Sequence, residues 1–255
     1  MLTDTHCHLY DEAFRPDFDA VLARAREAGV TACVMPGIDR SCHDALLAVA
    51  DALPDFAFPC IGLHPTSVGE DWQEELDFVK AHIADRRWYA VGEIGLDAYW
   101  SKDFVKEQMR VLEEQVVLAA AAGLPVIIHL REATEDFFRV LEDLRGVDFR
   151  GVLHAYSGSY EVYRRLLGYA DFKFGIGGVV TYKKAGIAAA LEKMSLQDVV
   201  LETDCPWLTP VPFRGRRNEP AHVRLVAEKV AQIKGLPLED VAAATTASAR
   251  ELFKL

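Results

Sequence analysis

Hydrophobic residues along this chain follow two alternating patterns. Short runs rich in valine, isoleucine and leucine predict buried strands, and the longer segments between them repeat an apolar residue every three or four positions, as amphipathic helices do. We predict strands within residues 1–10 and at 31–35, 57–62, 89–93, 125–129, 151–154, 171–175 and 199–202. The predicted helices cover 17–28, 40–52, 72–82, 102–122, 134–144, 160–167, 185–193, 221–233 and 238–253.

Eight strand–helix units in succession are typical of an α/β fold of the (β/α)8 TIM barrel type, for which about 250 residues is usual. The chain has 255 residues and no linker-like segment, so we expect one domain, residues 1–255. A doubly wound open sheet shows the same alternation, and the periodicity alone does not separate the two architectures. The placement of ionisable residues favours the barrel.

Ionisable residues stand where the predicted strands end. His6 and His8 are two positions apart on the first predicted strand, so their side chains share a face. Four further residues each end or follow a separate apolar run: Glu93, His129, His154 and Asp204. In a closed barrel the last strand lies beside the first, and all six side chains converge on one mouth. In an open sheet they would be scattered along an edge.

Each of these residues has a plain explanation when taken alone, as a core histidine, a paired carboxylate or a turn cap. Together, ionisable groups at the ends of apolar strands are costly to bury unless a cation joins them. Three such groups hold one ion, and six suffice for two if one carboxylate bridges, a role that we assign to Glu93. Nitrogen and oxygen donors suit zinc, manganese or cobalt, and magnesium less well. Paired ions supply hydroxide at neutral pH and hold the oxygens of a displacement.

Polar motifs recur from one end of the chain to the other. In order they are Asp4-Thr5-His6-Cys7-His8-Leu9, Gly62-Leu63-His64-Pro65, Gly92-Glu93-Ile94-Gly95-Leu96-Asp97, Pro125-Val126-Ile127-Ile128-His129, His154 with Ser157-Gly158, and Glu202-Thr203-Asp204-Cys205-Pro206 with Arg217-Asn218-Glu219-Pro220. This series resembles the signatures of the TatD family of metal-dependent hydrolases, within the amidohydrolase-like metal barrels. The resemblance implies a TIM barrel, a divalent-metal site and deoxyribonuclease activity that often trims DNA from a 3′ end.

The resemblance also implies a division of the ligands between two metal ions. One ion would be bound by His6, His8, Glu93 and Asp204, and the other by Glu93, His129 and His154. Three departures from the family pattern are Ala155-Tyr156 in place of Cys-Phe, Cys205 in place of Ser or Ala, and Arg131-Glu132 in place of Arg-Asp. None removes a ligand, so they affect the expected substrate contacts more than the chemistry.

These observations predict a divalent-metal-dependent deoxyribonuclease of the 3′–5′ exonuclease type, acting by attack of a metal-activated water. We expect Asp204 and Glu93 to be catalytic, with Asp204 accepting the proton of the water. The expected substrate contacts are His64, Arg131 and Asn218, and Glu202 is expected to support the ligands from behind or to be a buried acid that closes its strand. The expected substrate is single-stranded DNA or a 3′ end, with no obligate protein partner.

Two other functions remain open. The same metal cage would polarise a small lactone, amide or phosphotriester, and a barrel of this kind can also serve as a non-catalytic binding protein. The complete ligand set argues against the second, because a protein freed from catalysis need not keep six costly groups.

Composition narrows these possibilities. A net charge of −11 excludes a broad basic face that coats nucleic acid, and slightly favours a small-molecule substrate. Phosphates would have to be held locally, by metal ions and by Arg214, Arg216 and Arg217, although this cluster also fits a solvated loop. Five cysteines without a C-x-x-C pair indicate a reducing compartment. With no signal peptide and no apolar stretch that could span a membrane, we expect a cytoplasmic protein.

Overall fold

The structure, a computed structural model, describes residues 1–255 as eight strands that alternate with helices. The strands are β1 (Leu2–Asp4), β2 (Val30–Met35), β3 (Ala57–Pro59), β4 (Val91–Asp97), β5 (Val126–Arg131), β6 (Arg150–Leu153), β7 (Asp171–Ile176) and β8 (Val199–Leu201). The α-helices are α1 (Phe18–Glu27), α2 (His43–Ala52), α3 (Trp72–His82), α4 (Val105–Ala122), α5 (Thr134–Asp143), α6 (Tyr160–Leu166), α7 (Ile187–Lys193), α8 (Val223–Lys234) and α9 (Leu238–Phe253).

All strand pairs are parallel and follow the order of the chain, β1 to β3 in one sheet and β4 to β8 in the other. Single backbone bridges join the two sheets at both seams, Cys7 with Cys205 and Ile61 with Val91. At the first seam the amide of His8 also donates to the carbonyl of Cys205 at 2.9 Å. The last strand, β8, therefore lies beside the first strand, β1. The predicted (β/α)8 barrel is confirmed, with its two sheets joined at the seams by single bridges.

The predicted helices are all present, and α3 and α9 have the predicted bounds. The largest difference concerns β1, which ends at Asp4, so His6 and His8 follow the strand instead of lying on it. Beyond Asp4 the backbone forms hydrogen bonds alternately with the two adjacent strands, β8 and β2. The amide of Thr5 donates to a carbonyl of β8 at 2.9 Å, and the amide of Cys7 donates to a carbonyl of β2 at 3.0 Å. This alternation preserves the period of two, and both imidazoles still point to the inside of the barrel.

The barrel interior below the mouth is apolar. Ile127 and Val152 precede His129 and His154 by two residues each, so they share the inward face with these histidines. They belong to a fully buried cluster that includes the end of α9: Val34, Cys60, Ala90, Ile127, Val152, Val200, Ala249, Leu252 and Phe253. A larger apolar layer lies between the strands and the surrounding helices. No helix combines the length and the apolar character needed to cross a bilayer.

Candidate metal centre

Four of the predicted ligands form a first group at the mouth of the barrel. The Nε2 atoms of His6 and His8 lie 3.2 Å apart, and His6 Nε2 lies 3.1 Å from Glu93 Oε2. Asp204 Oδ1 is 3.6 Å from both imidazole nitrogens. Asp204 reaches this position because the seam bridge sets the segment after β8 against the one after β1, and its amide donates to the His6 carbonyl at 2.8 Å.

A second group surrounds the other oxygen of Glu93. Oε1 lies 2.8 Å from His154 Nε2, 3.0 Å from His129 Nδ1 and 3.3 Å from His64 Nε2. The facing nitrogens of His129 and His154 are 3.2 Å apart. Glu93 thus directs one oxygen at each group, which is the geometry of a bridging carboxylate.

The spacing of these atoms fits bound cations. Donors at zinc-ligand distances from one tetrahedral ion are separated by about 3.3–3.6 Å. The contacts among His6, His8, Glu93 and Asp204 span 3.1–4.0 Å. Those among Glu93, His129 and His154 span 2.8–3.2 Å, which a cation would have to widen slightly. The imidazole and carboxylate set suits zinc, manganese or cobalt.

Both carboxylates of the centre are held in the ionised form. Burial opposes ionisation of Glu93, but the surrounding histidines, with the charge of His154 first among them, together outweigh it and hold the pKa of Glu93 well below the usual range. Burial opposes ionisation of Asp204 in the same way, and the charge of His154 is among the causes that lower its pKa nevertheless. Two negative charges in a buried ring of imidazoles are a strong attraction for a cation.

The two inner histidines differ in basicity. Burial, followed by the charge of His154, lowers the pKa of His6 to about 4, so His6 stays neutral and able to bind a metal. Burial also lowers the pKa of His154, but the charge of Glu93 and its hydrogen bond outweigh this effect and raise the pKa of His154 to about 10. A cation that binds His154 therefore has to displace a proton.

Hydrogen bonds behind two of the ligands fix which ring nitrogen faces the centre. The hydroxyl of Tyr10 donates to the Pro36 carbonyl at 2.6 Å, so it accepts from His8 Nδ1 at 2.7 Å and leaves His8 Nε2 with a free lone pair. Asp97 Oδ2 accepts from His129 Nε2 at 2.8 Å, which leaves His129 Nδ1 free in the same way.

Sequence reasoning missed Tyr10 and Asp97 as supporting residues. Asp97 closes the predicted Gly92–Asp97 motif, and a buried carboxylate at the end of a strand was the available signal. Tyr10 gives no comparable signal, because its partner Pro36 is distant along the chain.

His64 has the opposite tautomer. Its Nδ1 accepts from the amide of Thr66 at 3.1 Å, so the ring proton is on Nε2, which points at Glu93 Oε1. Burial is the main cause that lowers the pKa of His64, which keeps this imidazole neutral. His64 is therefore a hydrogen-bond donor beside the centre, whereas a metal ligand needs a free lone pair at the same atom.

Glu202 lies behind the second group. It is fully buried, its Oε1 accepts from the Ala155 amide at 2.5 Å, and the same oxygen is 3.7 Å from His154 Nδ1. Burial raises the pKa of Glu202 to about 8. Gly175 leaves room for it, because a Cβ there would lie 2.1 Å from Glu202 Oε2. Glu202 thus backs His154 from the barrel interior.

Asn218 and Arg217, which were expected to contact the substrate, form hydrogen bonds within the protein instead. Asn218 is fully buried, and its Nδ2 donates to the carbonyls of Thr203 at 2.8 Å and Trp207 at 2.6 Å. Arg217 forms two bonds with Asp17, at 2.7 and 2.8 Å. Both therefore hold the segment after β8 in place, and the polar groups that were expected to face the substrate are bonded within the protein.

Arginines do remain at the surface. Arg214 and Arg216 are exposed, and the guanidinium of Arg214 lies 4.5 Å from the ring of Tyr182. Arg131 ends β5, and its guanidinium lies 3.7 Å from the ring centre of Tyr99. Of the three expected substrate contacts, His64 and Arg131 keep polar groups beside the mouth.

Residues 3–254 match the family described as TatD related DNase. The chain belongs to the TatD family. A relative from Bacillus subtilis, described as the uncharacterized metal-dependent hydrolase YabD, is 38% identical and aligns over 100% of both chains. The 3′-5′ ssDNA/RNA exonuclease TatD of Erwinia tasmaniensis is 31% identical over 99% of each chain. As a TatD-family member, the chain is a metal-dependent hydrolase.

Solved structures agree with this placement. The crystal structure of YjjV, a TatD homologue from Escherichia coli, superimposes with a TM-score of 0.91 at 29% identity and covers 100% of this chain and 98% of its own. The match extends over the whole barrel, so the TatD fold includes every strand end that carries a candidate ligand.

Proposed function

We propose that this TatD-family hydrolase is a deoxyribonuclease that removes nucleotides from the 3′ end of single-stranded DNA with the help of two divalent cations. The observation that carries the proposal is Glu93, whose two oxygens face two separate groups of ligand atoms. The name of the Erwinia relative, a 3′-5′ ssDNA/RNA exonuclease, supports the polarity and the class of substrate.

The residues divide into two ligand sets in this proposal. His6, His8, Glu93 and Asp204 would hold one cation, and Glu93, His129 and His154 would hold the other. When bound, such cations neutralise charge on the phosphate oxygens and make a water nucleophilic at neutral pH. Zinc, manganese, cobalt and magnesium are the candidates, and the imidazole content favours the first three.

Three side chains of the chain act on the substrate and the water. Asp204, ionised because its pKa is lowered, presents Oδ1 to the histidine pair and takes the proton of the water on Oδ2. The Nε2–H group of His64, which points at Glu93 Oε1 in the structure, would turn its hydrogen bond to a non-bridging phosphate oxygen of the substrate. Arg131 adds a positive charge at the rim, where the net charge of −11 makes local cations necessary.

With all five cysteines free, we place the enzyme in the cytoplasm.

One assay tests the proposal. Protein reconstituted with each cation is incubated with 5′-labelled single-stranded DNA, the same DNA with a blocked 3′ end, RNA, and a lactone and a phosphotriester. We expect stepwise shortening of the free DNA, protection by the 3′ block, and no activity in the His129→Ala variant. If the enzyme hydrolyses the lactone or the phosphotriester but leaves the DNA and the RNA uncleaved, the proposal is overturned in favour of a small-molecule hydrolase.

A further inference from the structure

Three large aromatic side chains are exposed near the metal centre. Trp100 is 71% exposed, and Tyr99 and Trp207 are each 50% exposed. The other two tryptophans, Trp72 and Trp88, are buried in the core. Single exposed apolar side chains are ordinary, but exposed apolar groups gathered around one site mark a binding surface, so the position of these three rings beside the metal centre is informative.

Two of the rings belong to a platform, which we define as Tyr99, Trp100 and Arg131. The amides of Tyr99 and Trp100 donate to Asp97 Oδ1 at 2.9 and 3.2 Å, and the other oxygen of Asp97 accepts from His129. The guanidinium of Arg131 lies 3.7 Å from the centre of the Tyr99 ring and 5.6 Å from that of the Trp100 ring. The platform is thereby fixed beside the second ligand group.

Trp207 lies on the side of the first ligand group. Its ring is edge-on to the His8 imidazole, with centroids 5.1 Å apart and planes at 66°. The Trp207 amide donates to the Asp204 carbonyl at 2.9 Å, and its own carbonyl accepts from Asn218. Asn218 and the ligand segment therefore hold this exposed ring at the mouth.

Glu93 joins the two ligand groups, so the platform and Trp207 flank opposite halves of one centre. A phosphate held at that centre has an aromatic surface on either side of it. We infer that the platform and Trp207 are two base-binding subsites, which stack the nucleobases next to the scissile phosphate of a single strand. This inference rests on the proposed function and adds how the substrate is recognised.

Stacking suits an acidic protein. Every base has a π-face, so stacking is tolerant of sequence and needs few positive charges. The bases of a duplex are already stacked and paired, and small esters have no base, so the subsites favour unpaired nucleic-acid ends over both. Arg131, above the Tyr99 ring, adds a cation that contacts the base or its phosphate.

Tryptophan fluorescence tests the inference independently of turnover. The metal-loaded protein is titrated with a phosphorothioate hexathymidylate and with an abasic hexamer of the same phosphorothioate backbone. We expect quenching by the first and much less by the second. Trp207→Leu and Trp100→Leu should each remove part of the quenching and weaken hexathymidylate binding about 5- to 150-fold, while abasic binding falls far less. Trp207→Phe, which keeps a stacking surface, should retain most of the affinity.

Two further measurements separate the possible outcomes. Leu236→Ala removes an exposed apolar side chain (41% exposed) distant in sequence from these groups, and should change nothing. Metal content of Trp207→Leu shows whether the contact with His8 was disturbed. Equal binding of both hexamers by the parent protein, or no binding of either, overturns the inference. Base-dependent quenching without DNA cleavage would support the base-binding subsites and refute the proposed nuclease activity. DNA cleavage without base-dependent quenching would support the nuclease activity and refute the subsites.

Discussion

Replacing Asp97 by Asn changes a single atom behind the metal centre and should reverse the tautomer of His129. Asp97 Oδ1 accepts from the amides of Tyr99 and Trp100, and Oδ2 accepts from His129 Nε2 at 2.8 Å. An asparagine that keeps its oxygen on the two amides turns its NH2 group toward His129. The ring must then accept at Nε2 and carry its proton on Nδ1, where it blocks the lone pair that faces Glu93.

The expected loss concerns one ion. Removal of a partner that orients a histidine ligand typically costs about 10- to 100-fold in metal affinity, which is about 1.4 to 2.8 kcal/mol. The first ligand group does not contact Asp97, so its affinity should stay within about 2-fold of the parent value. Activity should fall with occupancy of the second site and recover partly at high metal concentration.

Calorimetric metal titration of the apo protein gives both affinities, and 15N NMR of the imidazoles reports the tautomer directly. Asp103→Asn is the matched control, because Asp103 is exposed and bonds only to Ser101. Parent-like affinity for both ions in Asp97→Asn, or a proton retained on His129 Nε2, would refute the reasoning.

Three other predictions follow from the same contacts. Asp204→Asn should lower kcat by about 10² to 10⁴ and weaken the first ion less than His6→Ala does; steady-state kinetics at saturating metal with an unchanged kcat would remove Asp204 from the chemistry. Gly95→Ala should cost about 3 kcal/mol or more, because the new Cβ would lie 1.9 Å from the His129 carbonyl oxygen at a φ of +147°. Gly123→Ala, at a φ of +68° with nothing within 4 Å of the new Cβ, should cost only about 1 to 2 kcal/mol, and urea unfolding of both variants measures the two losses. Binding of single-stranded DNA should depend weakly on salt, by about 0.7 in log affinity per log salt for each phosphate contacted; a slope steeper than about 4 would reveal an unrecognised basic surface.

The sequence predicts most of the fold because hydrophobic period is a local property. Helix α3 has the predicted bounds, and the ligands converge because parallel strands in a ring place their carboxyl ends at one mouth. The end of β1 at Asp4 was not predictable in this way. It depends on hydrogen bonds that the next residues make to β2 and β8, which are remote in sequence.

The site shows the same division between local and remote information. Residue type and strand position identify the candidate ligands, but the tautomers of His64 and His129 depend on which group lies behind each ring. The pairing of Arg217 with Asp17 and the burial of Asn218 likewise arise from distant segments. An isolated arginine or asparagine in a motif cannot be assigned to substrate until its partners in the fold are known.

Metal stoichiometry is the most direct test of the central claim, a two-ion centre joined by Glu93. Apo protein is loaded with zinc or manganese, excess ion is removed, and bound metal is measured by mass spectrometry beside activity on single-stranded DNA. We predict two ions in the parent protein, one in His6→Ala, one in His129→Ala, and loss of activity in each variant and in chelator. One ion in the parent, two in either variant, or full activity in chelator would contradict the account.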